Sequence, residues 1–127
     1  MRVRHYFSLP LYICIYINKI TIRTLDGSDR FLEAEPDRPF STKRLLIADF
    51  TSAESTLTEA VEKLRGGGIL RKSFRAVIHP IEMSQGGLSE VEEKALRELA
   101  CSVGAHHHAI HIGSILSQHE ALAKISS

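Results

Sequence analysis

Residues 11–25 read LYICIYINKITIRTL. The first seven are β-branched, aromatic or otherwise apolar, which is typical of strands. The last six alternate between two faces, with Ile20, Ile22 and Thr24 on one and Thr21, Arg23 and Leu25 on the other. This period of two predicts a half-buried strand. Asn18-Lys19 lies between the two runs, and Asn tolerates the left-handed backbone of a tight turn. The stretch therefore predicts an antiparallel hairpin.

The next elements are a short strand and an amphipathic helix. The turn residues at 26–29 and Pro36 bound a third strand over residues 30–35. Thr51, with Glu54 three residues later, matches a capping box and predicts a helix that begins there. Its apolar stripe consists of Leu57, Ala60, Val61 and Leu64. Gly66 predicts its end.

A second helix is predicted by the same signals. Ser89 and Glu92 match another capping box, and Gly104 is a typical C-terminal cap. The predicted buried stripe consists of Val91, Ala95, Leu99 and Val103, widened by Leu96 and Ala100. Oppositely charged residues four positions apart predict the surface pairs Glu59–Lys63, Glu90–Lys94 and Glu93–Arg97.

Two more strands and a last helix complete the predicted order. Strands are predicted over residues 74–81 and 106–112, and a short helix over 117–125. The order is β-β-β-α-β-α-β with a terminal helix. Because strands that alternate with helices pair in parallel, the fold class is α/β, with a mixed sheet and packed helices. We expect one domain over residues 11–127, with residues 1–10 as an N-terminal extension.

Charge and cysteine content narrow the class of protein. The 127 residues contain 16 Lys and Arg and 15 Asp and Glu, a net charge of +1. This balance argues against a dedicated nucleic-acid binder. Cys14 and Cys101 are far apart and form no metal-binding or redox motif. We expect two small core residues in a reducing cytoplasm, with a redox-sensing thiol as the alternative.

The N-terminal apolar run over residues 6–17 resembles a signal peptide only superficially. Pro10 interrupts it, and no small-x-small cleavage site follows. The run is also shorter than the ~20 apolar residues that a membrane helix needs. We therefore expect neither cleavage nor a membrane span.

A row of histidines is the densest polar cluster. His106, His107 and His108 are followed by His111. On a strand, His106 and His108 would share one face, and imidazole suits Zn, Ni or Cu. The candidate metal ligands are His106, His108 and His111, with His79 and His119 as further partners. The alternative is a surface histidine row without metal.

Other motifs carry weaker indications. Residues 66–73 nearly match a phosphate-binding loop, but the required second glycine is Arg71, and a helix leads into a strand rather than the reverse. His79 and Glu82 could form an acid–base pair. Asp49 could bind a cation or start a helix. The scattered basic residues indicate no phosphate or RNA patch: they are Arg23, Arg44, Arg71, Lys72 and Arg75.

Several segments resemble known families. Residues 11–27, 45–54 and 89–95 with Gly104-Ala105 resemble the first lobe of MreB, the bacterial actin-like rod shape-determining protein family. A closer resemblance is to the YjaA-like proteins, a short enterobacterial family. The residues that carry it are Asn18-x-Ile20-Thr21, Arg44 to Ala48, Glu82-Met83 and residues 86–93. This resemblance implies a stress association and no established activity.

The departures from the actin-like pattern bear on function. Residues 14–17 stand where that family has the Asp-x-Gly-Thr of its first phosphate loop, and they contain neither acid nor glycine. The chain also has no room for a second lobe. The resemblance therefore implies an RNase H-like half-domain that binds no nucleotide.

Two functions follow as hypotheses. The first is a non-catalytic interaction or regulatory module, stress-associated and without a cofactor, that binds a protein partner, a cell-shape filament or a second copy. The alternative is a metal- or ligand-responsive stress protein that uses the His106–His111 row.

Overall fold

The computed structural model describes residues 8–66, 72–84 and 86–126. These residues form five strands and three helices, in the predicted order. The strands are β1 (Leu9–Tyr16), β2 (Lys19–Thr24), β3 (Phe31–Ala34), β4 (Phe74–Pro80) and β5 (Ala105–Ile110). The helices are α1 (Phe50–Arg65), α2 (Glu90–Ser102) and α3 (Gln118–Lys124). In the part of the chain so described, no helix combines the length and apolarity that a membrane crossing requires.

The strands form one mixed sheet in the order β3-β2-β1-β4-β5. β1, β2 and β3 form an antiparallel meander, in which Leu11 lies opposite Thr24. β4 pairs in parallel with β1, and β5 pairs in parallel with β4. Each parallel connection passes through a helix, as a crossover between parallel strands requires. The predicted mixed α/β architecture is confirmed.

The hairpin differs from its prediction at both ends. β1 begins at Leu9, which lies opposite Phe74 of β4, so Leu9 and Pro10 are part of the sheet rather than of an extension. Tyr16 pairs with Lys19, which places the turn at Ile17-Asn18 instead of Asn18-Lys19. Asn18 has a φ of 51°, the left-handed conformation that was expected of it.

Helix α1 begins earlier than predicted. Asp49, and not Thr51, is the N-cap, and its carboxylate accepts a hydrogen bond from the Ser52 N–H at 3.0 Å. Asp49 also forms an ion pair with Arg38 at 2.7 Å. Asp49 therefore has the local role of starting the helix. The predicted stripe is buried against the sheet as expected.

Helix α2 has the predicted capping box at Ser89 and Glu92, but its buried face is narrower than predicted. Leu96, Leu99 and Ala100 are buried, whereas Val91 is 77% exposed. At 3.6 residues per turn, eight residues rotate Val91 by about 80° from Leu99, which turns it out of the contact with the sheet. The Glu93–Arg97 pair forms at 2.8 Å, and Lys94 pairs with Glu98 rather than with Glu90.

The core has two parts, one on each face of the sheet. Helices α1 and α2 pack on the first face, against Leu11, Ile13 and Ile78 among others. Helix α3 packs on the second face, against Tyr12, Cys14 and Val77. Cys14 is buried as expected, but Cys101 is exposed on α2. Cys101 is therefore not a core residue.

The exposure of Val91 and the burial of Leu99 give a direct test of the packing of α2. We expect Leu99→Ala to lower the free energy of unfolding by about 2–5 kcal/mol, because the truncation leaves a cavity. We expect Val91→Ala to change it by less than about 0.5 kcal/mol. Urea unfolding followed by circular dichroism measures both. Equal losses for the two variants would contradict the packing of α2 described above.

Candidate functional site

The carboxyl ends of β1, β4 and β5 lie at one edge of the sheet, because these three strands are parallel. In open α/β sheets, ligands bind beside this edge. Here it is formed by the Ile17-Asn18 turn, by residues 81–84 after β4 and by residues 111–117 after β5. We call the last segment the strap, since it joins β5 to α3.

A carboxylate closes the turn after β1. The backbone N–H of Ile17 donates to Oε2 of Glu82 at 2.7 Å. Glu82 lies two residues beyond β4, and the parallel pairing of β1 with β4 brings the two together. The amide at the tip of β1 is therefore already bound to an anion that belongs to the chain itself.

The same turn is fixed from its other side by Asn18. Its side-chain oxygen accepts hydrogen bonds from the N–H groups of Phe40 and Ser41, at 2.9 and 2.8 Å. The Asn18 N–H in turn donates to the Ser41 hydroxyl at 3.1 Å. Phe40 is fully buried. The turn is thus anchored to the loop that precedes α1, and its backbone is held in one conformation.

An apolar groove lies next to this turn. It is bounded by residues 45–47, by the end of β4 and by α2. Its apolar lining is Leu45, Leu46, Ile47, Pro80, Met83, Leu88, Ala95 and Leu96. Two carboxylates, Glu82 and Glu92, complete the lining. The groove can accept an apolar group, and its acidic residues favour a neighbouring positive charge.

A buried histidine connects β1, β4 and the strap. His79 is fully buried on β4. Its Nε2 lies 2.9 Å from the Gly113 carbonyl oxygen, and its Nδ1 lies 2.7 Å from the Tyr12 hydroxyl. A carbonyl only accepts, so Nε2 carries the hydrogen and Nδ1 accepts from Tyr12. The Tyr12 oxygen also accepts from the Leu116 N–H at 3.0 Å.

Burial keeps both groups of this network neutral. Burial lowers the pKa of His79, the hydrogen bond to Gly113 offsets part of that effect, and the nearby His111 lowers the pKa further. Burial also raises the pKa of Tyr12 to about 12. At neutral pH, His79 is therefore an uncharged imidazole and Tyr12 an uncharged phenol.

The histidine row is not assembled into one site. His108 faces α2, where its ring nitrogen lies 3.5 Å from Arg97, whereas His111 lies on the other face and packs edge-on against His79. The register between β4 and β5 shifts so that Arg75 lies opposite His107, which makes His106 the extra residue of an irregularity. Among residues 8–66, 72–84 and 86–126, no three His, Cys, Asp or Glu side chains are placed to hold a metal ion.

The other residues singled out from the sequence are not brought together either. Glu82 binds the Ile17 amide and not His79. His119 is exposed on α3. Most of the glycine-rich stretch, residues 67–71, lies outside the described residues. Arg75 is buried and donates to the carbonyl oxygens of Ser8 and Ile125. Its role is to hold the start of β1 and the end of α3.

Sequence reasoning missed a second groove, on the face of the sheet that α3 leaves partly open. Its rims carry Phe31 and Ile115, which are 53% and 66% exposed. Arg23 lies over the Phe31 ring, with 5.0 Å between the guanidinium carbon and the ring centroid. The alternation in β2 predicts which of its residues face outward. It does not predict that α3 leaves them uncovered.

The chain resembles known proteins both in sequence and in structure. No protein-family model matches it. It is 39% identical over 94 residues to YjaA of Escherichia coli (strain K12), an uncharacterized protein, and the match covers 70% of this chain and 72% of YjaA.

Among solved structures, the chain is similar to a non-polymerising mutant of the actin-like protein MamK bound to AMPPNP, with a TM-score of 0.58 and 14% identity. The match covers 83% of this chain and 41% of that of MamK, so the chain spans about two fifths of MamK. RNase H1 from the halophilic archaeon Halobacterium salinarum NRC-1 matches over 94% of this chain with a TM-score of 0.42 and 10% identity. The likeness to MamK and the strand order confirm the predicted RNase H-like, actin-like fold class.

The hydroxyl of Tyr12 is expected to be the link on which the His79 network depends. Tyr12→Phe leaves Nδ1 of His79 and the Leu116 N–H without this partner. We expect the free energy of unfolding to fall by about 1–3 kcal/mol. Tyr16→Phe is the matched control, because it removes a hydroxyl from the same face of β1 at a half-exposed position. Chemical denaturation measures both, and a loss as large for Tyr16→Phe would argue against a special role for Tyr12.

Proposed function

The chain belongs to the family of the E. coli protein YjaA, and on this premise we propose that it is a non-catalytic interaction or regulatory module built on an actin-like fold. The observation that carries the proposal is the hydrogen bond from the Ile17 amide to the Glu82 carboxylate. It lies at the sheet edge where an α/β protein would bind its ligand.

A phosphate group would meet an unfavourable environment at this edge. Residues 14–17, which correspond to the first phosphate loop of the actin-like pattern, supply neither an acid for a metal ion nor a glycine for close approach. The Glu82 carboxylate holds the amide that a phosphate oxygen would need, and its negative charge would repel one. These features support the proposal that nucleotide binding has been lost.

The apolar groove beside Glu82 is the surface that we propose for the partner. Leu45 on its rim is 43% exposed. Glu82 and Glu92 give the groove a negative charge, so the matching partner presents an apolar side chain next to Lys or Arg. Contacts of this kind need no catalytic group.

The finer parts of the proposal rest on the resemblance. They are an association with a cell-shape filament or a second copy, and a role in stress. The metal-responsive alternative, with His106, His108 and His111 as ligands, would need donors from a second chain, because His108 and His111 lie on opposite faces of the sheet.

The loss of nucleotide binding is tested with a fluorescent ATP analogue and Mg²⁺. We expect no saturable binding at millimolar nucleotide and no phosphate release above buffer. Glu82→Ala frees the Ile17 amide but restores neither acid nor glycine, so we expect it to behave in the same way. Saturable binding that excess ATP reverses, in either chain, would remove the basis of the proposal.

The groove is tested by cross-linking, co-purification and mass spectrometry in resting and peroxide-treated cells. We expect a recurrent stoichiometric partner with the unmodified chain and a loss of at least about tenfold with Leu45→Asp, because burial of the carboxylate on binding is costly. Ile115→Asp is the matched control on the other face of the sheet.

Loss of the partner with Ile115→Asp alone would place the interaction in the second groove and contradict the first. Recovery of the unmodified chain alone, under both conditions, would contradict an interaction module.

A further inference from the structure

The sheet ends on one side at β3, a four-residue strand whose pairing with β2 determines which of its backbone groups point outward. The Thr24 N–H donates to the Arg30 carbonyl oxygen at 3.0 Å, so Thr24 and Arg30 form a hydrogen-bonded pair. Such pairs alternate along an antiparallel ladder. Leu32 therefore directs its backbone groups towards β2, whereas Phe31 and Glu33 direct theirs away from the sheet.

The outer edge of β3 is suited to the addition of another strand. Phe31 and Glu33 are both exposed. Within residues 8–66, 72–84 and 86–126, their outward N–H and C=O groups have no hydrogen-bond partner. The strand contains no proline or lysine, and its register with β2 is regular, so the features that commonly discourage strand addition are missing from it.

A second copy of β3 complements this edge. A two-fold axis that passes through Leu32, normal to the sheet, would place Leu32 opposite itself and Phe31 opposite Glu33 of the second copy. Phe31 of each copy then exchanges both N–H···O bonds with Glu33 of the other. Leu32 and its symmetry mate form the non-hydrogen-bonded pair between them, in which opposite residues are closest. Every outward group of Phe31 and Glu33 thereby gains a partner.

The neighbouring two-fold registers are less favourable. An axis through Glu33 would place two carboxylates directly opposite each other, and like charges in that position destabilise a sheet. An axis through Phe31 would place Glu33 opposite Asp29 of the second copy, where the backbone φ of 53° is not that of a strand. The axis through Leu32 is therefore the register that the sequence of β3 favours.

The apolar side of this pairing continues the core. Leu32 packs against the cluster that α1 and α2 cover, and it lies opposite Ile22 in the β2–β3 ladder. Ile22 is buried, whereas Leu32 at the edge is only half-buried. In the paired sheet, Leu32 of each copy would contact Leu32 of the other, which removes apolar surface of both from water.

The charges on the other face of the sheet are complementary as well. The guanidinium carbon of Arg23 lies 5.0 Å from the centroid of the Phe31 ring, so the charge reaches across this ring towards the outer edge. Glu33 of the second copy would stand beside Phe31 on the same face, within reach of that guanidinium. Arg23 already pairs with Asp29 at 3.3 Å. A guanidinium has further N–H donors, so it can bind a second carboxylate.

We propose that the chain forms a two-fold dimer by antiparallel pairing of β3 with β3 of a second copy, with Leu32 on the axis. This inference deepens the part of the proposed function that names a second copy, and it rests on that part. It does not involve the groove beside Glu82, which lies at the ends of the parallel strands, whereas β3 is a lateral edge of the sheet. Because β3 is short, the interface is small and the dimer is weak.

The register is tested with single cysteines in a chain that carries Cys101→Ser and keeps the buried Cys14. Leu32→Cys places two thiols in a non-hydrogen-bonded pair, whose Cα atoms lie about 4.5 Å apart, within reach of a disulfide. Phe31→Cys is the matched control. Its two Cα atoms would lie diagonally across the axis, beyond the ~7 Å that a disulfide bridges, although position 31 is the more exposed of the two.

Under mild oxidation at equal protein concentration, we expect Leu32→Cys to form the disulfide-linked dimer at least about tenfold faster than Phe31→Cys. Non-reducing electrophoresis measures both rates. Random collision would favour the more exposed thiol instead. Equal rates, or faster linkage of Phe31→Cys, would therefore overturn the proposed pairing.

Association without a cross-link is measured by sedimentation equilibrium at protein concentrations up to about 1 mM, where a weak dimer is populated. We expect a reversible equilibrium between monomer and dimer. Glu33→Pro removes an outward N–H and keeps the bonds between β2 and β3, so it should weaken dimerisation by at least about tenfold. A chain that stays monomeric throughout, or undiminished dimerisation of Glu33→Pro, would overturn the dimer.

A charge exchange decides the question even if Glu33→Pro fails to fold, because it leaves the backbone unchanged. Glu33→Arg brings two cations together across the interface and should weaken dimerisation by about fivefold. Adding Arg23→Glu to this variant restores opposite charges and should recover the dimer. Failure of the second substitution to recover any of the loss would contradict the proposed contact between Arg23 and Glu33.

Leu45→Asp separates this inference from the proposed groove, and we expect it to leave the dimer unchanged. Loss of the dimer with Leu45→Asp alone would place self-association in the groove and overturn the pairing of β3. A purified chain that is monomeric would also overturn the pairing, while the cellular test of Leu45→Asp decides the groove independently. Linkage of Leu32→Cys to a different protein in cells, with a monomeric purified chain, would assign the edge to a foreign strand and overturn the dimer.

Discussion

The structure depends on the pairing of β1 with strands on both of its sides. β1 is antiparallel to β2 and parallel to β4, so it joins the meander to the crossover half of the sheet. Its side chains also enter both parts of the core, with Ile13 on one face and Tyr12 on the other. Register errors in this strand would reverse both faces at once, since the side-chain period is two. The long apolar run at the start of the domain is the consequence.

The end of β1 also determines which polar groups are free at the carboxyl edge of the sheet. Because β1 ends in a tight turn whose amide binds Glu82 and whose asparagine is bound by the loop before α1, the edge is filled by the chain itself. A flexible glycine loop at this place would leave amides free for an anion. Here the polar groups are satisfied internally, and the surface that remains open beside them is apolar. This edge therefore lacks the free amides of a phosphate site, which is consistent with the interaction module that we propose.

The sequence predicted the fold better than the site. Alternation and capping boxes identified the elements, since both depend on residues close together in the chain. Asp49 was predicted either to start the helix or to bind a cation, but the capping box was assigned to Thr51 because Thr51 with Glu54 fits that pattern. The Tyr12–His79 and Ile17–Glu82 contacts join residues more than 60 positions apart and depend on the β1–β4 register. No local pattern encodes that register. The histidine row was prominent in the sequence, but strand alternation and the register shift at β5 separate its members.

Stability alone does not explain why position 79 is a histidine. An apolar residue of similar shape, facing a phenylalanine in place of Tyr12, would avoid the desolvation of three polar groups, and such exchanges are often neutral or stabilising. What the polar network supplies instead is geometric: it fixes the strap at defined carbonyl and amide groups of Gly113 and Leu116. The chain thus joins the strap before its shortest helix to its central strands through directed hydrogen bonds, while the two larger helices on the opposite face pack through apolar contacts.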